Sequence, residues 1–592
     1  MICGKNRVQR LKLSANPTKS GVRRVKGLIA FGCVPGLMLL SAGIRPDPPS
    51  DGVPVFVDVT PASGIRFHHI NGPADRKDYI FEAKGGGIGF FDYDNDGWLD
   101  VFAVQGATVE TAGTERNQLS RLFRNNRDGT FTDVTETAGL TVRRWGMGVT
   151  FGDYNNDGWV DIYLTCLGPN VLYRNNGDGT FTDVTEQAGV GDPRWSTSAA
   201  FADYDQDGDL DLYVANYIDA GVDHLPEKSS ACTYLGRVVM CGPRGLTGSR
   251  DALFRNEGDG TFSEVSQQTG AFDAEKYFGL SAVWSDLDND GDLDLIVGND
   301  ATPNYLFENR GDGTFEDMGF LSGLAVNGDG IMQASMGIDV GDYNNDGLMD
   351  VFITHFASDY STLYRNEGGL LFKDVTGEAG IQAAEWLLVA WSTRFFDVNH
   401  DGWKDILHVN GHVYPFLLYI DHREKYRQPP TLYLNRRDGT FIEVSSQAGP
   451  DFAVPAVSRG AAFGDYDNDG DYDMIVANLN ESLRLYRNDR TDQGHWVMFR
   501  LQDSKTGCEP LGARVRVTAG GLSQIGEYRR AVGIYSASDP RVHFGLGPNT
   551  RIDEVVVTWL DGGTQTFTDV PADQHYLVDS KTGLREEEFA AP

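Results

Sequence analysis

A nine-residue pattern written seven times constrains this 592-residue chain more than any other feature. It reads Asp, any residue, Asp or Asn, any residue, Asp, Gly, two residues, Asp. The first copy supplies Asp92, Asp94, Asp96 and Asp100, and the second Asp153, Asn155, Asp157 and Asp161. The third supplies Asp203, Asp205, Asp207 and Asp211, and the fourth Asp286, Asp288, Asp290 and Asp294. The last three supply Asp342, Asn344, Asp346 and Asp350; Asp397, Asn399, Asp401 and Asp405; and Asp465, Asp467, Asp469 and Asp473. Position 6 is always glycine, from Gly97 to Gly470, which permits the sharp turn that wraps oxygens around an ion. Position 7 ranges from Trp98 to Asp209 to Leu348, an indifference expected where the backbone carbonyl is the ligand. A hard cation taking six to eight oxygens at roughly 2.3–2.6 Å needs this spacing, and calcium fits it best. Up to seven Ca²⁺ are expected.

An EF-hand is the nearest competing arrangement, and it fails twice. It requires a bidentate Glu at position 12 and a helix on each side. Position 12 of the first loop is Ala103, and the flanks are short β-like runs such as 149–151 and 162–165. Asp-Gly turn chemistry accounts for hairpins, but not for four oxygen-bearing positions at fixed offsets.

A second element, Leu-Tyr-Arg-Asn or a close variant, follows each loop, at Leu122, Leu172, Leu253, Leu306, Leu363, Leu432 and Leu485. In most copies it runs into Gly-Asp-Gly-Thr-Phe and a strand such as Phe181-Thr-Asp-Val-Thr185. Each unit therefore reads as four short strands, the pattern of a β-propeller blade. The last unit stops after Asn488, without its fourth strand, while an orphan fourth strand, Phe56-Val-Asp-Val-Thr60, precedes the first loop. The expected fold is all-β: a seven-bladed β-propeller closed by an N-terminal strand, with a small C-terminal β domain. An open array would leave an unpaired edge at each end. The expected divisions are a targeting segment and linker (1–52), the propeller (53–490), the β domain (491–580) and a tail (581–592).

The units, including Phe151-Gly-Asp-Tyr-Asn-Asn-Asp-Gly158, resemble FG-GAP/VCBS repeats, the calcium-loop blades also found in integrin α-chains. The region with His495-Trp496, Gly512-Ala-Arg-Val515, Arg541-Val-His-Phe-Gly-Leu-Gly547 and Thr558-Trp559 resembles the ASPIC/UnbV domain. Together they are similar to the cartilage acidic protein family and its bacterial relatives. Cys508-Glu-Pro-Leu511 departs from the Asn-Arg-containing segment usual before Gly-Ala-Arg. The resemblance implies a secreted calcium-binding architecture and no agreed chemistry.

The formal net charge is −34. Of the 28 loop positions, 25 are Asp, so much of the acidity reads as metal ligation. The remainder argues against nucleic acid, whose phosphates it would repel. A basic stretch ending Arg23-Arg24-Val-Lys26, an apolar run over 27–44 and a Pro-rich segment have the order of a secretory signal, with an uncleaved anchor as the alternative. No other run approaches a membrane span. The chain is expected outside the cytosol: secreted, periplasmic or on the cell surface. There a local disulfide between Cys232 and Cys241 is expected, and the spacing that marks a redox pair or c-type haem does not occur.

His408 and His412 are four apart, but on a strand they would not converge as on a helix turn, so zinc is not expected. Gly85-Gly-Gly87 precedes a strand and no helix, so it is no phosphate cradle. The leading expectation is a recognition or adhesion protein whose extracellular ligand is a glycan or a protein. A carbohydrate lyase or hydrolase, and a purely structural assembly module, are the alternatives. Strand alternation puts the metal loops on one face and the long insertions at 218–249 and 410–430 on the other. Arg144-Trp145, Arg194-Trp195 and Tyr277-Phe278 lie at equal offsets before their loops, which places them side by side as candidate ligand residues at the channel mouth. Packing between blades is the competing account of these rings.

Overall fold

A computed structural model describes residues 52–226, 232–489, 494–587 and 589. The expected targeting segment therefore lies outside the described residues, apart from Gly52. The fold is all-β, with repeated four-stranded antiparallel sheets in the arrangement of a propeller. In one of them Gly146–Gly152, Asp161–Cys166, Val171–Asn175 and Phe181–Asp183 follow in chain order. The first two strands are buried throughout, and the last buries only Phe181. Burial on both faces removes the alternation of a half-exposed strand, which explains the continuous apolar runs. A one-turn helix, Thr185–Ala188, follows and stops at Gly189, whose φ of 77° is open to glycine at no steric cost.

The innermost strands of these sheets are Ile88–Phe91, Gly146–Gly152, Ser196–Ala202, Gly279–Ser285, Ile338–Gly341, Ala390–Phe396 and Ser458–Gly464. Each packs beside the next in chain order, and Ser458–Gly464 packs against Ile88–Phe91. The sheet begun by Ser458–Gly464 takes its outer strand from the other end of the chain. Phe56–Asp58 pairs antiparallel with Arg484–Asn488, placing Phe56 opposite Asn488.

Residues from 494 onward form two further four-stranded sheets. In one, His495–Gln502 lies between Val542–Gly547 and, in parallel, Gln574–Asp579; in the other, Arg514–Ala519 lies between Leu522–Glu527 and Arg551–Thr558. The tail expected from 581 begins as a strand, because Gly583–Glu586 pairs with Gln574–Asp579. The domain therefore extends beyond residue 580. Among the described residues, no helix is long and apolar enough to cross a membrane.

Candidate metal loops and the face opposite

Each loop joins the first two strands of its sheet and is shaped by its own carboxylates. In the first, Asp92 accepts from the backbone N–H of Asp96 at 3.0 Å and of Gly97 at 2.8 Å, and Asp96 accepts from that of Trp98 at 2.9 Å. Six of the seven position-1 side chains take both bonds; Asp286 takes only that from Asp290. Position 9 works as a clasp. Asp100 accepts from the N–H of Tyr93 at 3.0 Å and of Asn125 at 2.7 Å, binding the loop to the Leu-Tyr-Arg-Asn strand. Asp161, Asp211, Asp294, Asp350, Asp405 and Asp473 repeat the same two bonds.

Packing this many carboxylates into a partly buried turn has an electrostatic cost. Burial, reinforced by adjacent carboxylates, pushes Asp92, Asp153 and Asp203 up to about 7. Without a cation, such groups hold protons near neutrality. The donor set suits a hard cation on a further ground. Oδ1 of Asp94, Asp205 and Asp467, each at position 3, is buried with no hydrogen-bond partner. In four loops, three carboxylates place one oxygen each within 4.8 Å of one another: Asp92, Asp94 and Asp96; Asp203, Asp205 and Asp211; Asp286, Asp288 and Asp290; Asp465, Asp467 and Asp473. The three loops outside this set are those with Asn155, Asn344 or Asn399 at position 3.

Position 4, which the pattern leaves free, carries a role the sequence reading missed. Asn95, Asn156, Gln206, Asn289, Asn345, His400 and Asn468 all have φ between 52° and 66°. The Asn95 amide donates to the carbonyl of Gly158 in the next loop, and Asn156, Gln206, Asn289 and Asn345 reach Gly208, Gly291, Gly347 and Gly402 likewise. His400 instead approaches Asp471, with Nε2 3.2 Å from Oδ1. Asn468 donates to Gly97, so the last loop is bonded to the first. The terminal Asn of the repeated strand links sheets in the other direction: Asn125 donates to Tyr466 O, and Asn175 to Tyr93 O. The available signal was an amide at position 4 in all copies but one.

The C-terminal domain sits on this loop face. Arg541 donates to Asp465 O at 2.7 Å and Asn468 Oδ1 at 2.9 Å, Arg514 to Asp286 O at 2.6 Å, and Glu509 accepts from Asp153 N at 3.3 Å. Trp496 covers Gly470 so closely that a Cβ there would lie 2.0 Å from the indole. From the same domain, the loop 529–541 enters between the innermost strands. Gly533 and Ile338 exchange backbone bonds, Phe90 N donates to Ala537 O, and Val149 N to Tyr535 O. Tyr535 is fully buried and stacks on Trp391 at 6.3 Å. Gly87 and Gly148 make room for it: a Cβ on Gly87 would be 2.6 Å from Tyr535 O, and one on Gly148 2.9 Å from Tyr535 Cα.

On the opposite face the two insertions meet. Cys232 and Cys241 form the expected disulfide, whose hairpin brings Tyr234 against His412 and Tyr414. Trp145 and Trp195 both pack edge-on against Phe81 inside the core, 2% and 1% exposed. Their faces are covered, so the packing account holds for them and for Phe278, which is also buried. Arg194 is held by Asp192 at 2.6 Å, Arg144 stays exposed, and Tyr277 stacks on Tyr305. His408 binds Glu385 and Asn410, each at 2.9 Å, in a buried polar network. The apolar wall of a cavity on this face comes instead from Met336, Phe356, Trp391 and Tyr414.

The FG-GAP-like repeat family matches residues 92–164, 164–214, 238–297, 286–353, 342–408 and 416–476, and the ASPIC and UnbV family matches 504–585. Cartilage acidic protein 1 of Xenopus tropicalis is 23% identical over 283 residues, 46% of this chain and 40% of that protein. The Homo sapiens protein of the same name is 23% identical over 278 residues, 45% of this chain and 39% of that protein. The match thus spans about two fifths of the length of these relatives. Among solved structures, an Agrocybe aegerita lectin that recognises non-reducing terminal N-acetylglucosamine is 17% identical, with a TM-score of 0.36 over 69% of this chain and 91% of that one. BBS1N in complex with ARL6DN is 9% identical, with a TM-score of 0.40 over 74% of this chain and 98% of that one.

Proposed function

Because the chain belongs to the FG-GAP-like repeat family, with an ASPIC and UnbV domain after its repeats, we propose that it is an exported calcium-binding protein that recognises an extracellular ligand or partner. The architecture we assign is a seven-bladed β-propeller closed by the strand Phe56–Asp58. The observation that carries the calcium reading is the seven-fold recurrence of one loop, with the position-1 Asp buried in five copies and, in three copies, a buried carboxylate oxygen without a partner. Positions 1, 3, 5 and 9 and the position-7 carbonyl would hold the ion, and position 9 also keeps the loop closed around it. When bound, the ion supplies the charge that the clustered carboxylates lack. Closure of the propeller is supported by the bonds from Asn468 to Gly97 and from Asn125 to Tyr466.

With the C-terminal domain on the loop face and Tyr535 in the centre, recognition falls to the face that carries the two insertions. The Cys232–Cys241 disulfide suits an oxidising compartment, and the relatives are named for cartilage, an extracellular tissue. The acidic balance leaves nucleic acid an unsuitable partner. Isothermal titration with calcium tests the metal reading, and glycan and protein arrays probed with calcium and with chelator test the recognition reading. Absence of calcium uptake would sink the first, and absence of any calcium-dependent array signal the second.

A further inference from the structure

A cavity of about 440 Å³ opens on the insertion face, within the size range of small-molecule sites. Met240 to Arg244 of one insertion, Val413 and Tyr414 of the other, and Ile331 to Ala334 with Met336 form its sides together with Phe356. Behind Trp391, at its inner end, stands the buried ring of Tyr535 from the C-terminal domain. Ile331 and Met332 remain 55% and 42% exposed at this lining, apolar surface that an apolar ligand would cover.

Of the charged groups in the lining, Arg244 is exposed, Asp359 is half-buried and accepts from Gln333 Nε2 at 2.7 Å, and Lys84 and Asp300 form a buried ion pair. Lys84 Nζ lies 3.2 Å from Asp300 Oδ2, with side chains 6% and 11% exposed. Tyr217 also donates to Oδ2, at 2.6 Å. Lys84 further lies over the rings of Tyr217 and Trp391, at 4.9 and 5.1 Å. Both charges are therefore compensated inside the protein, while no donor to Asp300 Oδ1 is found among the described residues. A ligand that placed a charge beside this pair would have to break it or bury that charge unpaired, and either is costly. A neutral ligand meets neither penalty.

We infer that this cavity binds a small neutral molecule with an apolar body and one hydroxyl or amide group, the body lying against Met336 and Phe356 and the donor bonded to Asp300 Oδ1. The inference deepens the recognition reading above and does not depend on the metal.

The test uses the full chain with calcium saturating and Nile red, a neutral dye, as the probe. Dye fluorescence is expected to rise on binding and to be reversed by 4-phenyl-1-butanol. The isosteric 4-phenylbutyrate and 4-phenylbutylamine should each need at least about tenfold more to displace it, the ratio that a modest charge-burial penalty gives. Ala334→Trp, which fills the wall, should abolish dye binding; Met332→Trp at the rim serves if that variant fails to fold. The inference is overturned if the dye does not bind, if a folded filled variant binds it unchanged, or if either ion competes as well as the alcohol. A protein that takes the alcohol but ignores calcium would lose the metal reading and keep this one.

Discussion

Asn468 in the last metal loop donates its side-chain amide to the carbonyl of Gly97 in the first, 3.1 Å away and 371 positions apart in sequence. The same bond joins neighbouring loops elsewhere, as from Asn95 to Gly158. If the sheets close into a propeller, Asn468→Gly removes a native link while keeping the left-handed backbone that Asn468 adopts at φ 56°. It should cost about 1–2 kcal/mol in chemical denaturation, since its Oδ1 also accepts from Arg541. Asn95→Gly should cost about 1 kcal/mol. A silent Asn468→Gly beside a destabilised Asn95→Gly would argue that the first and last sheets do not meet in solution.

Deleting residues 53–61 removes the outer strand that Phe56 and its neighbours supply to Arg484–Asn488. The exposed edge should promote aggregation or abolish cooperative melting. A soluble deletion variant that melts like the parent would rule out closure by this strand.

Calcium should bind in two classes. Loops with Asp at position 3 present one more carboxylate than those with Asn155, Asn344 or Asn399, and affinity in such sites rises with ligand charge. Titration calorimetry should resolve four tighter and three weaker sites. At free calcium tenfold above a site's Kd, linkage gives about 1.4 kcal/mol per site, so chelator should lower the melting temperature widely. A shift of one or two degrees, or seven equal sites, would contradict this.

Burial holds His69, His355 and His412 neutral, with pKa lowered from 6.5 to about 3. The unfolded chain takes up these protons below pH 6.5 and the folded chain does not. The stability from the neutral rings is thus complete above pH 6.5 and is lost as the pH falls toward 3. At pH 5 each ring has withdrawn roughly 2 kcal/mol. His355 accepts a bond from Ser335 N at 2.9 Å through Nδ1, which a glutamine oxygen can replace. His355→Gln should therefore shrink the stability difference between pH 7 and pH 5 by about that amount. Parent and variant share the metal loops, so calcium release cancels from the comparison. An unchanged difference would mean that the ring titrates in the folded state.

The fold was legible because its determinants are local and repeated: the loops, the Leu-Tyr-Arg-Asn strands and the orphan Phe56 strand each announce themselves at fixed spacing. What escaped is tertiary. Position 4 looked unconstrained because its amide serves the next loop rather than its own. For Trp145 and Trp195 both the channel mouth and packing between blades stayed open, because nothing local says that Phe81 folds over them. The entry of 529–541 between the blades had one signal, Gly87 just before one innermost strand and Gly148 within the next, whose meaning depends on Tyr535, roughly 400 positions or more away.

That partner makes the last prediction. Tyr535 is fixed by its backbone, its N–H donating to Ser198 Oγ at 3.0 Å and its carbonyl accepting from Val149 at 2.9 Å. A Cβ at Gly148 would lie 2.6 Å from Thr197 O and 2.9 Å from Tyr535 Cα, both backbone atoms with no rotamer to escape by. Gly148→Ala must therefore shift either the blade or the inserted loop. Overpacking of this kind costs about 1–3 kcal/mol. Because Gly146–Gly152 is laddered along its length to Asp161–Cys166, whereas the loop meets the innermost strands only through isolated backbone bonds, the loop should yield. Limited proteolysis should then cut between Arg529 and Arg541 well before the parent is cleaved there, while calcium uptake stays intact. Equal cleavage rates in a destabilised variant would show that the strain is absorbed in the blades, and that the central loop is held by more than the contact at Gly148.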